Sequence, residues 1–201
     1  LVRSDSPIKT ARDLSGKTVS VQSIKGFLQV ATMNWIDQHG GDSNSVHYIE
    51  LSPSAASAAL LAGRTDAATF ANPSLAATLN TKKARVFAWT CDSVGKYYLQ
   101  AGYFCTTGYA AKNADVVARF ARVIAEASAY TNTHPAETVD MIAKFTGVAP
   151  EDVAGMTRVT CGLKLDPAQI QPVVDVAAKY KIIPARFDAR EMIDPALRAA
   201  D

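Results

Sequence analysis

"SVQSIKGFLQVATMNWIDQHGG", residues 20–41, runs from an apolar stretch into a Ser, Lys and Gly corner and then into a helical pattern. The same sequence of events recurs downstream. "KTVSVQ" precedes that helix, "VHYIEL" precedes "SAASAALLAG", and "DAATFA" precedes "SLAATLN", with "ARVFAWT" and "YYLQAGYFC" following as further strand-like runs. Short β-rich runs alternating with short helical ones predict a mostly parallel sheet covered by helices, an α/β lobe over about residues 14–99.

In an open parallel sheet, ligands bind beyond the carboxyl ends of the strands, where loops enter helices whose first N–H groups are unpaired. Three such loops occur: Gln22 to Gly26, Ser52 to Ser54, and Ala71 to Pro73. In the first, Gly26 permits close backbone approach, Ser23 supplies a hydroxyl, and Lys25 adds charge where the helix dipole already favours an anion. The corner suits a small polar or anionic group. The P-loop spacing GxxxxGK[ST] and the dinucleotide fingerprint GxGxxG are both absent. The same residues also read as a plain helix entry with a solvated lysine.

From Asn113 onward the pattern is helical almost throughout. Val116, Phe120, Val123 and Ala127 share one helix face. "PAETVDMIAKFTG" starts with Pro at a first turn and closes on Gly147; "LDPAQIQPVVDVAAKY" places Asp166 as N-cap and Pro167 at the first helical position; Asp188 and Glu191 are spaced as a capping box. Pro172 argues for a start nearer Gln171 or a kink. Such helices, including the Val173, Val174 and Ala177 stripe, need a flat apolar surface to cover them. This half offers almost no strands to provide it.

Composition limits the function. The 201 residues are 48% hydrophobic and 20% charged, with a net charge of +2 and scattered cations, so the basic stripe of a nucleic-acid binder is missing. No apolar run approaches the roughly 20 residues that span a bilayer. The opening "LVRSDSP" has neither an initiator Met nor a signal peptide and reads as a mature or trimmed chain. Cys91, Cys105 and Cys161 show no metal-ligand or redox spacing and permit at most one disulfide. His39, His47 and His134 are isolated, which gives no metal site. No carboxylate pair and no Cys–His arrangement is recognisable, so binding without chemistry, and without a cofactor, is expected.

The phrases "DLSGKTVSV", "AALLAGRTDAA" with Asn72-Pro73 after it, and "AKNADVVARFARVIAEASAYTNTHPAETVDMIAKFTG" resemble the periplasmic solute-binding proteins of ABC importers, in the SsuA/THI5-like (NMT1-like) group. The resemblance covers most of the chain. It implies a type II periplasmic-binding-protein fold, in which two α/β lobes close on a sulfonate, nitrate, pyrimidine precursor or similar small molecule that is passed to a membrane permease. It implies a periplasmic or lipid-anchored extracellular location. It also implies that residues 14–99 are the second lobe, that residues 100–201 are a crossing strand and helices returning to the first, and that the N-terminal part of the first lobe is absent from this chain. Carried over residue by residue, Ser23, Lys25, Gly26 and Phe27 match the family's strand-to-helix ligand loop, Pro53 and Ser54 the next loop, and Asn72 and Pro73 the position after the "DAA" strand. Relatives more often place an acidic or aromatic residue where Asn72 stands, and Asn72 suits a polar ligand without demanding a cation. Tyr103 is a further candidate to reach the cleft. Ser54 reads equally as a helix N-cap, Pro73 as a first helical position, and Phe27 as core. Two alternatives remain: the effector-sensing domain of a LysR-type regulator, which would hold both sheets in this length, and a pyrimidine-precursor enzyme of the same scaffold, whose cysteine-rich motif is missing.

Overall fold

In the computed structural model, which describes residues 1–194, five strands form one sheet: β1 (Val2–Arg3), β2 (Thr18–Val21), β3 (His47–Glu50), β4 (Ala67–Ala68) and β5 (Ala84–Arg85). Their order is β3-β2-β4-β1-β5. β2 pairs in parallel with β3, Thr18 opposite His47 and Val21 opposite Glu50, and in parallel with β4. β1 runs antiparallel between β4 and β5. The sheet is therefore mixed: β2, β3 and β4 run parallel, as the alternation predicts, while both pairings of β1 are antiparallel. β1 lies ahead of Leu14, outside the expected span, and two residues are too few to carry a period-2 signal.

Three helices follow strands: α1 (Phe27–Gln38), α2 (Pro53–Leu61) and α3 (Ser74–Asn80). They lie on both faces of the sheet. Successive strand residues point to opposite faces, and β4 divides accordingly. Ala67 joins Val2, Val19 and Ile36 of α1 in one core cluster, while Ala68 joins Ala56 and Leu60 of α2 in another. Full burial of a side chain such as Ile36 contributes about 1.5–3 kcal/mol, so these two clusters fix both helices on the sheet.

Two strand expectations fail. "ARVFAWT" is a strand only at Ala84–Arg85, and Trp89 already leads into a short 3₁₀ turn. "YYLQAGYFC" forms no strand: its Leu99 N–H donates to Gln169 O at 2.8 Å, tying it to a helix instead of a sheet edge. Period-2 alternation makes a strand only where an edge supplies ladder partners. Without one, Phe104 is 96% exposed and Tyr103 74%.

The C-terminal part holds α4 (Thr107–Lys112), α5 (Ala114–Thr133), α6 (Val139–Thr146), α7 (Pro150–Gly155) and α8 (Pro167–Lys179). Caps read from sequence recur here. Asp166 accepts from Ala168 N–H, Pro167 opens α8, and Gly147 ends α6 with φ 71°, the left-handed conformation glycine adopts without penalty. α8 runs through Pro172 from Pro167, so a start nearer Gln171 is not what forms; only the Pro172 N–H is lost to the ladder. Asp188 caps its 3₁₀ turn through the amide of Arg190, one residue before the reciprocal arrangement with Glu191. α8 buries Ile170 and Val174 against Ala189 and Ile193. The apolar stripe of α5 stays uncovered: Val116, Phe120 and Val123 are exposed, as are Met141 and Phe145 of α6.

α8 is also tied to the sheet domain by polar contacts on α1. Lys179 Nζ donates to Asn34 Oδ1 at 2.8 Å, and Tyr180 OH donates to Asp37 Oδ2 at 2.6 Å. Burial works against the Asp37 carboxylate, but hydrogen bonds from Tyr180 and from the amide and hydroxyl of Ser43 hold it below its ordinary range. Tyr180 is pushed up, by burial and by the carboxylate it donates to.

Candidate functional site

The carboxyl ends of the three parallel strands open onto a cavity of about 270 Å³. Gln22 reaches it from the end of β2, Leu51 and Pro53 from the β3–α2 loop, and Thr69, Asn72 and Pro73 from the β4–α3 loop. A further wall comes from Thr146 and Val148, at the end of α6. The side chain of Asn72 donates to Thr157 O at 2.8 Å, and Asn80 Nδ2 donates to Asp152 Oδ1. The β4–α3 segment is thus stitched to the helical half around the rim. Polar and apolar groups in about equal measure, set where strand ends meet helix starts, describe a pocket for a small molecule with several hydrogen-bonding atoms.

The Ser23–Gly26 corner is built differently from its sequence reading. Ile24 N–H donates to Glu50 Oε2 at 2.8 Å, Lys25 N–H to Gln29 Oε1 at 2.6 Å, and Gly26 N–H to Ser23 O at 3.1 Å. These amides are occupied. Gly26 is required for close approach, but to its own loop: a Cβ there would lie 2.9 Å from Ser23 O. The donors left at the start of α1 are the amides of Phe27, Leu28 and Gln29, which have no intrahelical acceptor. The Ser23 hydroxyl is exposed and touches only Ile24 O, at 3.5 Å.

The expected residues therefore separate. Asn72 and Pro73 line the cavity at the strand ends. Ser54 is exposed, and its neighbour Ser52 is the N-cap of α2, accepting from Ala55 N–H. Pro73 takes the N-cap position of α3, after a cis Asn72–Pro73 peptide. Lys25 and Phe27 turn instead toward a second hollow between α1 and α8. Phe27 packs against Tyr98 with ring centroids 5.3 Å apart. Tyr103 stands edge-on to Phe120 of α5 and does not line the pocket. Thr69, Ser74 and Thr146 are polar pocket residues not named from the sequence, and Gln22 was named only as the start of a loop; Gln22 and Thr69 each directly follow the last residue of a strand. The Glu50 cap of the corner had no local signal.

Among the described residues, no group of His, Cys, Asp or Glu is placed to hold a metal, and no helix is long and apolar enough to cross a membrane. Burial pushes the Cys91 thiol up, and its sulfur does not line the pocket.

Comparison with known proteins places this geometry. The family model described as NMT1/THI5 like matches residues 1–138. The Escherichia coli (strain K12) protein described as an aliphatic sulfonates-binding protein is 26% identical over 201 residues, covering 96% of this chain and 61% of its own length. The chain thus spans about three fifths of that curated relative. Among solved structures, the periplasmic aliphatic sulphonate binding protein SsuA from Escherichia coli superposes with a TM-score of 0.74 at 24% identity, covering all of this chain and 66% of that one. The alkanesulfonate-binding protein SsuA from Xanthomonas axonopodis pv. citri, bound to MOPS, gives 0.75 at 23%, covering 98% and 68%. The fold is that of the periplasmic binding proteins, an α/β lobe with helices that follow it.

Proposed function

This chain belongs to the NMT1/THI5-like family, and we propose that it is the part of a solute-binding protein that grips a small polar or anionic organic molecule for an ABC importer. The protein then works outside the cytoplasmic membrane and hands its ligand to a permease. The observation that carries this reading is the cavity of about 270 Å³ where β2, β3 and β4 end, lined by Gln22, Thr69 and Asn72 among apolar side chains. Relatives named for aliphatic sulfonates make an alkylsulfonate the first ligand to try, before nitrate or a pyrimidine precursor. A sulfonate offers three acceptor oxygens. In the lining, Asn72 keeps a second N–H beyond the one given to Thr157 O, and the Gln22 amide adds further donors suited to them.

Capture without chemistry follows from the same lining: no thiol, imidazole or carboxylate is among the residues around the cavity. Neither the regulator domain nor the enzyme reading draws support from a specific contact.

The test is titration calorimetry of ethanesulfonate, with nitrate as the comparison anion, into the protein and its Gln22→Ala/Asn72→Ala variant. Binding to the parent, weakened by about tenfold or more in the double variant, is expected; tenfold is about 1.4 kcal/mol. An unchanged affinity moves the site elsewhere. Turnover of the ligand would overturn capture as the function.

A further inference from the structure

α1 and α8 do not close fully against each other. A hollow of about 140 Å³ remains between them. Val30 and Ala31 of α1, Val176 and Ala177 of α8, and Val94 and Ile182 form its wall. Every one of these is aliphatic. A single charged residue, Lys25, stands at its edge. The hollow shares no lining residue with the first cavity.

Three observations bear on what fits. The volume is close to the roughly 150 Å³ of an apolar cavity that stays dry and accepts benzene. An aliphatic wall gives water no hydrogen-bond partners, so an apolar guest regains dispersion contacts that the empty space forfeits. Lys25, held at φ 62° by the bond from its amide to Gln29, brings a cation to this apolar edge. Among the described residues its ammonium makes no ion pair and no hydrogen bond, and no carboxylate lines the hollow. An uncompensated cation beside an apolar hole complements an anion that carries an apolar group.

We propose that the hollow between α1 and α8 is a second ligand site, for a small organic acid whose apolar group, no larger than a benzene ring, fills the hollow while its carboxylate or sulfonate meets Lys25. The site is independent of the strand-end pocket and of the ligand proposed for it. Because α8 is fastened to α1 beyond the hollow by Lys179–Asn34 and Tyr180–Asp37, an occupant braces the same helix pair. Its binding therefore raises the melting temperature.

The probe is benzoate, with benzyl alcohol as its uncharged counterpart, followed by titration calorimetry and thermal melts on the protein, Ala177→Phe and Lys25→Met. Ala177→Phe fills the hollow and is expected to abolish binding of both probes. Lys25→Met keeps the stem of the side chain, and is expected to weaken benzoate by about threefold or more while leaving benzyl alcohol within about twofold, because only the charge is lost. Added salt weakens benzoate alone. Lys25 is exposed, so its variant reads the charge even if the packing change in Ala177→Phe disturbs folding. Failure of benzoate to bind the parent at millimolar concentration, equal binding by Ala177→Phe, or an unchanged benzoate affinity in folded Lys25→Met each overturns the proposal.

Discussion

Replacing Tyr180 by Phe removes one oxygen and tests whether the helical half is fastened to the sheet domain by charge. In the protein the Tyr180 hydroxyl donates to Asp37 Oδ2 at 2.6 Å, a short bond to a carboxylate that also receives the Ser43 amide at 2.9 Å and the Ser43 hydroxyl at 3.1 Å. A hydrogen bond to a charged group contributes about 1.5–3 kcal/mol. Both partners are only partly buried, so water replaces part of the loss and the lower end applies: about 1–2 kcal/mol at neutral pH. The effect has a pH signature. Asp37 titrates below its ordinary value in the folded chain, so the bond's contribution is complete above the unfolded carboxylate's value of about 3.9 and is lost as pH falls through the lowered folded value. Urea unfolding of Tyr180→Phe and parent at pH 7 and near pH 3 is the assay. The gap between their midpoints is expected to narrow at the acidic end. Equal midpoints at pH 7, or a gap unchanged at pH 3, would refute the role given to the carboxylate.

Gly26→Ala places a Cβ 2.9 Å from Ser23 O, and the forced loop shift is expected to cost about 1–3 kcal/mol and to weaken ethanesulfonate together with stability. A 201-residue chain with Val123 and Phe145 exposed, the latter 91%, is expected to self-associate in sedimentation at rising concentration. A Val123→Lys/Phe145→Lys variant should sediment as a monomer, and a parent that is monomeric throughout would show the uncovered faces to be harmless.

Local chemistry made much of this chain legible before any fold. The caps at Asp166 and Gly147, Pro at the first position of α8, and the alternation of short β-rich and helical runs depend on residues a few positions apart, and the sequence states such relations directly. What needed the tertiary structure is longer in reach. Val2–Arg3 becomes a strand only because β4 and β5 leave a place between them, more than sixty residues downstream. Tyr97–Cys105 has strand-like alternation but meets no sheet edge, and it forms no regular element, with Phe104 in solvent. At the corner that opens the sequence, Ser23, Lys25 and Gly26 were readable as a strand-to-helix turn, and the turn forms. Which groups it leaves free was decided by Glu50, whose carboxylate takes the Ile24 amide, and by α8, whose side chains frame the hollow that Lys25 borders. Propensity and capping act within a turn of chain, whereas a ligand site is the sum of groups brought together across the sequence, as Asn72 and Thr157 are.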